Sequence, residues 1–162
     1  MSERIKEYVF LIDKSISMYG REYDVLNVWN RFLETQKDKL KHTYVTFGMF
    51  SEELDCYYIH NELQCAHPLT CHDYYVDGST AFFDAFCEMC HRVEMNLKML
   101  REDIQSQVEV YILSDGIDNA SIYFNEDDYE SILKKQEEKG WKIHRISSES
   151  MKKFLVYEEH RR

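Results

Sequence analysis

Tyr8-Val9-Phe10-Leu11-Ile12-Asp13-Lys14-Ser15-Ile16-Ser17-Met18 is the stretch on which the fold turns. Five apolar residues run without interruption and stop at an acid. Such a run reads as a strand buried on both faces, which is the habit of parallel sheets. A loop follows whose hydroxyls fall two residues apart. A second segment repeats the arrangement. Residues 108–113 read as another buried strand and lead into Ser114-Asp115-Gly116-Ile117-Asp118-Asn119.

Working outward from these two strands, the periodicity changes to helical over residues 21–40. There Val25, Val28, Trp29, Phe32, Leu33 and Gln36 follow the i, i+3, i+4 spacing of a one-sided helix. Residues 43–50 and 54–60 are rich in β-formers and are separated by the short polar link Ser51-Glu52-Glu53, so they are expected to form an antiparallel pair. Residues 61–78 are irregular. Residues 81–100 carry one apolar stripe through Phe82, Phe86, Met89, Val93 and Leu97 and read as the clearest helix. A helix over 127–139 closed by Gly140, a strand over 141–146 and a last helix over 149–157 complete the order. Strands alternating with helices imply a three-layer, doubly wound α/β fold. Its central sheet should be mostly parallel, with one antiparallel edge strand.

The chain has 162 residues, the size of one domain, here taken as 1–162. Its formal net charge is −10. An acidic chain lacks the basic face that nucleic acid or an anionic membrane requires. No apolar run approaches membrane-spanning length. The charged opening Met1-Ser2-Glu3-Arg4 leads straight into a strand rather than a secretory leader, and five cysteines form no even disulfide framework. The expectation is a cytoplasmic protein with reduced thiols.

Ligands of open α/β sheets bind beyond the carboxyl ends of the strands, where the strand order reverses. If the strands ending at Asp13 and at residue 113 are neighbours, their loops face each other there. The loop Asp77-Gly78-Ser79-Thr80 opens the long helix at the same edge. These residues suit a hard cation. Mg²⁺ takes about six oxygens and retains several waters. Asp13 and Asp115 would balance its charge. Ser15, Ser17 and Thr80 would add neutral hydroxyls. Mn²⁺ or Ca²⁺ are the alternative ions. An open coordination position would then accept an outside carboxylate.

The three loops resemble a known family. Asp13-x-Ser15-x-Ser17-Met18 after a buried strand is similar to the metal-ion-dependent adhesion site (MIDAS) of von Willebrand factor type A (vWA) domains. Gly78-Ser79-Thr80-Ala81-x-x-Asp84-Ala85 resembles the family's second loop. Leu113-Ser114-Asp115-Gly116-x-Asp118-Asn119-Ala120-Ser121 resembles its third. Trp141-Lys142-Ile143 after Gly140 is similar to the next strand of the short stand-alone bacterial forms. The resemblance implies Asp13, Ser15, Ser17, Thr80 and Asp115 as metal residues, supported by Asp118, Ser79 and Gly116. It implies a Rossmann-like vWA fold and a metal-dependent protein-binding module without catalytic residues. The partner would be a protein offering an acidic side chain, in bacterial relatives an ATPase or a stress-operon component. Ile16 departs from the pattern, because the family often has Gly there and a β-branched residue resists positive φ.

Plainer readings exist for each feature. Ser15, Ser17 or Thr80 could cap helices, and Asp84 could answer a helix dipole. Cys87-Glu88-Met89-Cys90, with Cys56, Cys65, His67, Cys71 and His72 upstream, could bind zinc, although a CxxC inside a helix suits core packing better. Tyr57, Tyr58, Tyr74 and Tyr75 could pack or form a partner-binding rim. The competing functions are a Mg²⁺-dependent hydrolase or phosphatase, and an interaction domain with a vestigial metal site. Against the first, the three loops contain no His to act as a base.

Overall fold

A computed structural model describes residues 3–151 and 153. Its elements are β1 (Glu3–Asp13), α1 (Glu22–Thr35), β2 (Thr43–Phe50), β3 (Leu54–Glu62), α2 (Phe82–Lys98), β4 (Ile104–Leu113), α3 (Glu126–Glu138) and β5 (Lys142–Ile146). Single 3₁₀ turns follow β1 at Ile16–Met18 and β3 at Leu63–Cys65. The sheet runs in the order β3-β2-β1-β4-β5. Among the described residues only the β2–β3 pairing is antiparallel. This is the expected three-layer α/β architecture with one antiparallel edge strand. Of the helix expected over 149–157, residues 148–151 are helical, and most of the rest lies outside the described residues.

β1 is central because it is apolar on both sides. Tyr8, Phe10 and Ile12 face a core built with Val25, Trp29 and Phe32 of α1. Val9 and Leu11 face the opposite core with Phe82, Phe86 and Met89 of α2. Phe10 meets Trp29 edge-on with ring centroids 5.0 Å apart. Truncating a buried aromatic of this size costs about 3–5 kcal/mol, so these contacts anchor α1. The helices therefore flank the sheet on both faces. The CxxC lies within α2 with both thiols buried in the second core. Burial pushes the Cys87 thiol up to about 12, which keeps it protonated and unreactive.

The strand order reverses at β1, which has β2 on one side and β4 on the other. Asp13 pairs with Phe50 and Ile12 with Leu113. Asp13 and Ser114 thus leave adjacent parallel strands at the same sheet edge.

The β2–β3 pairing is irregular. Val45 pairs with Asn61, Phe47 with Tyr58 and Gly48 with Cys56, so β3 carries extra residues at two places. At the first, buried Glu7 of β1 accepts from Thr46 Oγ1 at 2.7 Å and lies 2.9 Å from His60 Nδ1. His60 also donates its backbone N–H to Thr46 Oγ1, with a left-handed φ of 49°.

Candidate metal centre

Asp13 ends β1 with its side chain fully buried. One carboxylate oxygen accepts the Ser15 N–H at 2.8 Å, and the other accepts the Ser114 hydroxyl at 2.7 Å. Its backbone carbonyl accepts the Tyr74 hydroxyl at 2.6 Å. Burial and the nearby Asp13 charge hold the Tyr74 phenol far above its ordinary range, so it remains a donor. Asp13 is fixed at three points before any ligand arrives.

Three hydroxyls converge beside it. Thr80 Oγ1 donates to Ser15 Oγ at 2.7 Å, and Ser15 Oγ lies 2.8 Å from Ser17 Oγ. Ser15 and Thr80 are buried, whereas Ser17 is exposed and opens the cluster to solvent. Gly116 closes the fourth side. A Cβ there would stand 2.9 Å from Ser17 Oγ and 3.0 Å from Thr80 Oγ1, so only glycine leaves this space free. The oxygen-only donor set and the glycine-lined space fit a hard divalent cation. Among the described residues no group of three or more His, Cys, Asp or Glu gathers to hold a metal. A cation here would depend on hydroxyls for much of its shell.

Asp115, next to Gly116 in the chain, has partners of its own. Its carboxylate accepts the Ser148 N–H at 2.7 Å and lies 3.9 Å from Arg21 Nε. Arg145 donates to the Gly116 carbonyl at 3.1 Å and holds the same loop from β5.

The supporting residues bind the loops to one another. Thr80 N–H donates to Asn119 Oδ1 at 2.8 Å, and the Thr80 carbonyl accepts Asn119 N–H at 2.8 Å. Asp118 accepts from Phe83 N–H at 2.9 Å and from the Ser121 hydroxyl. Ser121 Oγ accepts from Asp84 N–H at 3.0 Å. Ser79 connects through its backbone, which donates to Glu52 at 3.2 Å. The second and third loops therefore form one hydrogen-bonded body.

Simple capping does not account for the hydroxyls. Ser15 heads a 3₁₀ turn without a side-chain cap bond, and the N-cap residues of α1 and α2 are Arg21 and Ala81, also without one. Ile16 lies in the 3₁₀ turn and is not among the residues with positive φ, so the strain expected there is absent. Its N–H donates to the Gly78 carbonyl at 3.0 Å, and Gly78 itself takes positive φ, at 81°. Tyr74 is 2% exposed and belongs to the core and the Asp13 loop rather than to a rim. Ser114, Asn119 and Ser121 were visible in the third motif but carried no signal of their particular bonds. Short polar residues in a loop do not reveal which backbone group they meet.

No family model matches the chain, and no curated protein matches it in sequence. Solved structures do. The manganese-loaded TRAP protein of Plasmodium vivax superposes with a TM-score of 0.60 at 14% identity, over 90% of this chain and 57% of that one. Proximal thread matrix protein 1 from the mussel byssus superposes with a TM-score of 0.55 at 16% identity, over 90% of this chain and 36% of its own. The fold is von Willebrand factor A-like. At these identities the likeness is one of fold. The chain spans little more than a third of the mussel protein and little more than half of the TRAP protein. No helix among the described residues of this vWA-like fold is long and apolar enough to cross a membrane.

Proposed function

We propose that this vWA-like chain is a non-catalytic, metal-dependent protein-binding module of the cytoplasm. Asp13, Ser15, Ser17 and Thr80 would hold a divalent cation, Mg²⁺ by preference. Asp115 supplies the second negative charge from the adjoining loop. The bound cation supplies Lewis acidity toward an acidic side chain of a partner protein, such as an ATPase or a stress-operon component. The observation that carries this reading is the Thr80–Ser15–Ser17 hydroxyl cluster, 2.7 and 2.8 Å between oxygens, set against buried Asp13. A manganese-loaded protein among the structural neighbours supports it. Around the cluster, Ile16, Tyr19 and Ile117 are 62%, 76% and 88% exposed, and apolar residues so placed suit protein contact.

The test is partner capture from native lysate in Mg²⁺, in chelator, and with Asp13→Ala. Capture is expected to be lost under both changes while circular dichroism stays native. Capture indifferent to both would remove the proposal. The hold of Ser148 and Arg21 on Asp115 favours a second reading, an interaction domain whose metal site is vestigial. Calorimetry decides between them: measurable Mg²⁺ or Mn²⁺ binding supports the first, and its absence the second.

A further inference from the structure

Away from the metal loops, β3 and the connection after it enclose a cavity of about 410 Å³ whose wall includes Phe47, Tyr57, Tyr58, Tyr75, His72 and Asp73. That volume lies in the range of small-ligand sites. Its aromatic wall depends on a break in the strand. Successive side chains of a regular strand point to opposite faces. Here the adjacent Tyr57 and Tyr58 both bring their rings to Phe47, with centroids 6.1 and 6.0 Å away. Phe47 pairs with Tyr58 and Gly48 with Cys56, so Tyr57 is the extra residue of a bulge. Bulges re-aim side chains in this way.

The opposite wall has no strand or α-helix, yet it is pinned. Trp29 Nε1 donates to the His67 carbonyl at 2.9 Å, and His67 N–H donates to the Tyr58 hydroxyl at 3.1 Å. The Asn30 amide bonds both Leu69 N–H, at 2.7 Å, and the Leu69 carbonyl, at 3.0 Å. The cavity is therefore built in advance of a ligand.

Its chemistry favours a cation. Asp73 accepts from the Thr70 N–H and hydroxyl at 2.7 and 3.0 Å. These bonds hold its carboxyl below the usual range, so it carries its charge at neutral pH. Tyrosine faces attract cations, and the Lys14 ammonium already lies 5.6 Å from the Tyr75 ring centre. A guanidinium is planar, stacks on tyrosine and forks onto a carboxylate, so it uses both the rings and Asp73. A quaternary ammonium would use the rings alone. The net charge of −10 also favours a basic partner.

We propose that this cavity binds the side chain of an arginine presented by a partner polypeptide. The site is independent of the metal reading above. The test is an NMR titration of the full chain with the amidated tripeptide acetyl-Ala-Arg-Ala, followed at Tyr57, Tyr75 and His72. Matched Gln, Lys and trimethyl-lysine peptides serve for comparison. Saturable shifts are expected with the Arg peptide, about threefold or more weaker binding with Lys, and none with Gln. Asp73→Asn and Tyr75→Ala should each weaken the Arg peptide about threefold or more. Both side chains are exposed, and a native amide spectrum confirms each fold. Binding should be the same in chelator. Equal binding of the Gln peptide, or undiminished binding by the folded Asp73→Asn protein, would overturn the proposal. So would tighter binding of trimethyl-lysine, or loss of binding in chelator.

Discussion

His60 shows what one residue contributes to the sheet. Its ring lies beside the buried carboxylate of Glu7 and stacks on Tyr44, with centroids 4.3 Å apart. The hydrogen bond to Glu7 raises its pKa, and burial opposes this only partly. The protonated ring is therefore favoured in the folded state. The stability it contributes is complete below the ordinary histidine value of about 6.5 and is lost as pH rises through the higher folded value. Urea unfolding at about pH 6 and about pH 9 checks this. The wild type should lose more stability over that interval than His60→Gln, and the substitution should cost about 1.5–3 kcal/mol at the lower pH. Legibility at this scale was uneven. Asp13, Ser15, Ser17 and Thr80 could be read from their motifs and do come together. Whether Tyr74 packs or forms a rim stayed open for a physical reason: a tyrosine in an irregular polar stretch gives no periodicity from which burial can be judged, and the fold settles it as packing. Ile16 misled for a related reason, since its φ is set by the turn around it.

The third loop and α2 form a unit at the scale of elements. Asp118 and Ser121 take the first free N–H groups of α2, while Asp84 returns three bonds to the N–H groups of Ile122, Tyr123 and Phe124 at 2.7, 3.0 and 2.8 Å. Helix termini leave such donors unpaired unless something caps them. A loop acting as the cap couples helix stability to the shape of the candidate metal centre. Asp118→Ala is expected to cost about 1–2 kcal/mol, to speed hydrogen exchange at the Phe83 amide, and to weaken Mg²⁺ binding in calorimetry. Element positions followed closely from periodicity, because buried stripes are written in the sequence. Ends were less clear. The helix expected over 21–40 stops at Thr35, although Leu40 beyond it still packs against the first core. β4 begins at Ile104 rather than at 108, because Arg4, Ile5 and Lys6 of β1 pair with Gln105, Ser106 and Gln107, polar residues that show no strand pattern of their own.

The candidate centre joins three loops that are far apart in the chain, so a cation there would stabilise the whole molecule. A ligand that binds only the folded state at a hundred times its Kd adds about 2.7 kcal/mol. For a domain of this size that is a rise of about 5–10 °C in Tm. Scanning calorimetry of chelator-treated protein with and without Mg²⁺ should show the rise, and Asp13→Asn should abolish it. The supposition that the strands ending at Asp13 and at residue 113 are neighbours holds, since β1 pairs with β4, while the order of the remaining strands came only from the folded chain. The bonds of Asp115 were not legible, because Ser148 and Arg21 reach it only through the folded chain.

The irregular pairing of β3 with β2 has a consequence for how copies of this molecule meet. β3 is the outermost strand on its side, and an outermost strand with open amides invites strands of other chains to add to it. Here Asn61 turns its own side chain back to accept the Ile59 N–H at 2.8 Å, and His60 sends its N–H inward to Thr46. Two bulges leave the remaining donors out of line for a straight newcomer. On this border of the sheet a straight strand from another chain finds few amides in register, so β3 is a poor template for self-addition.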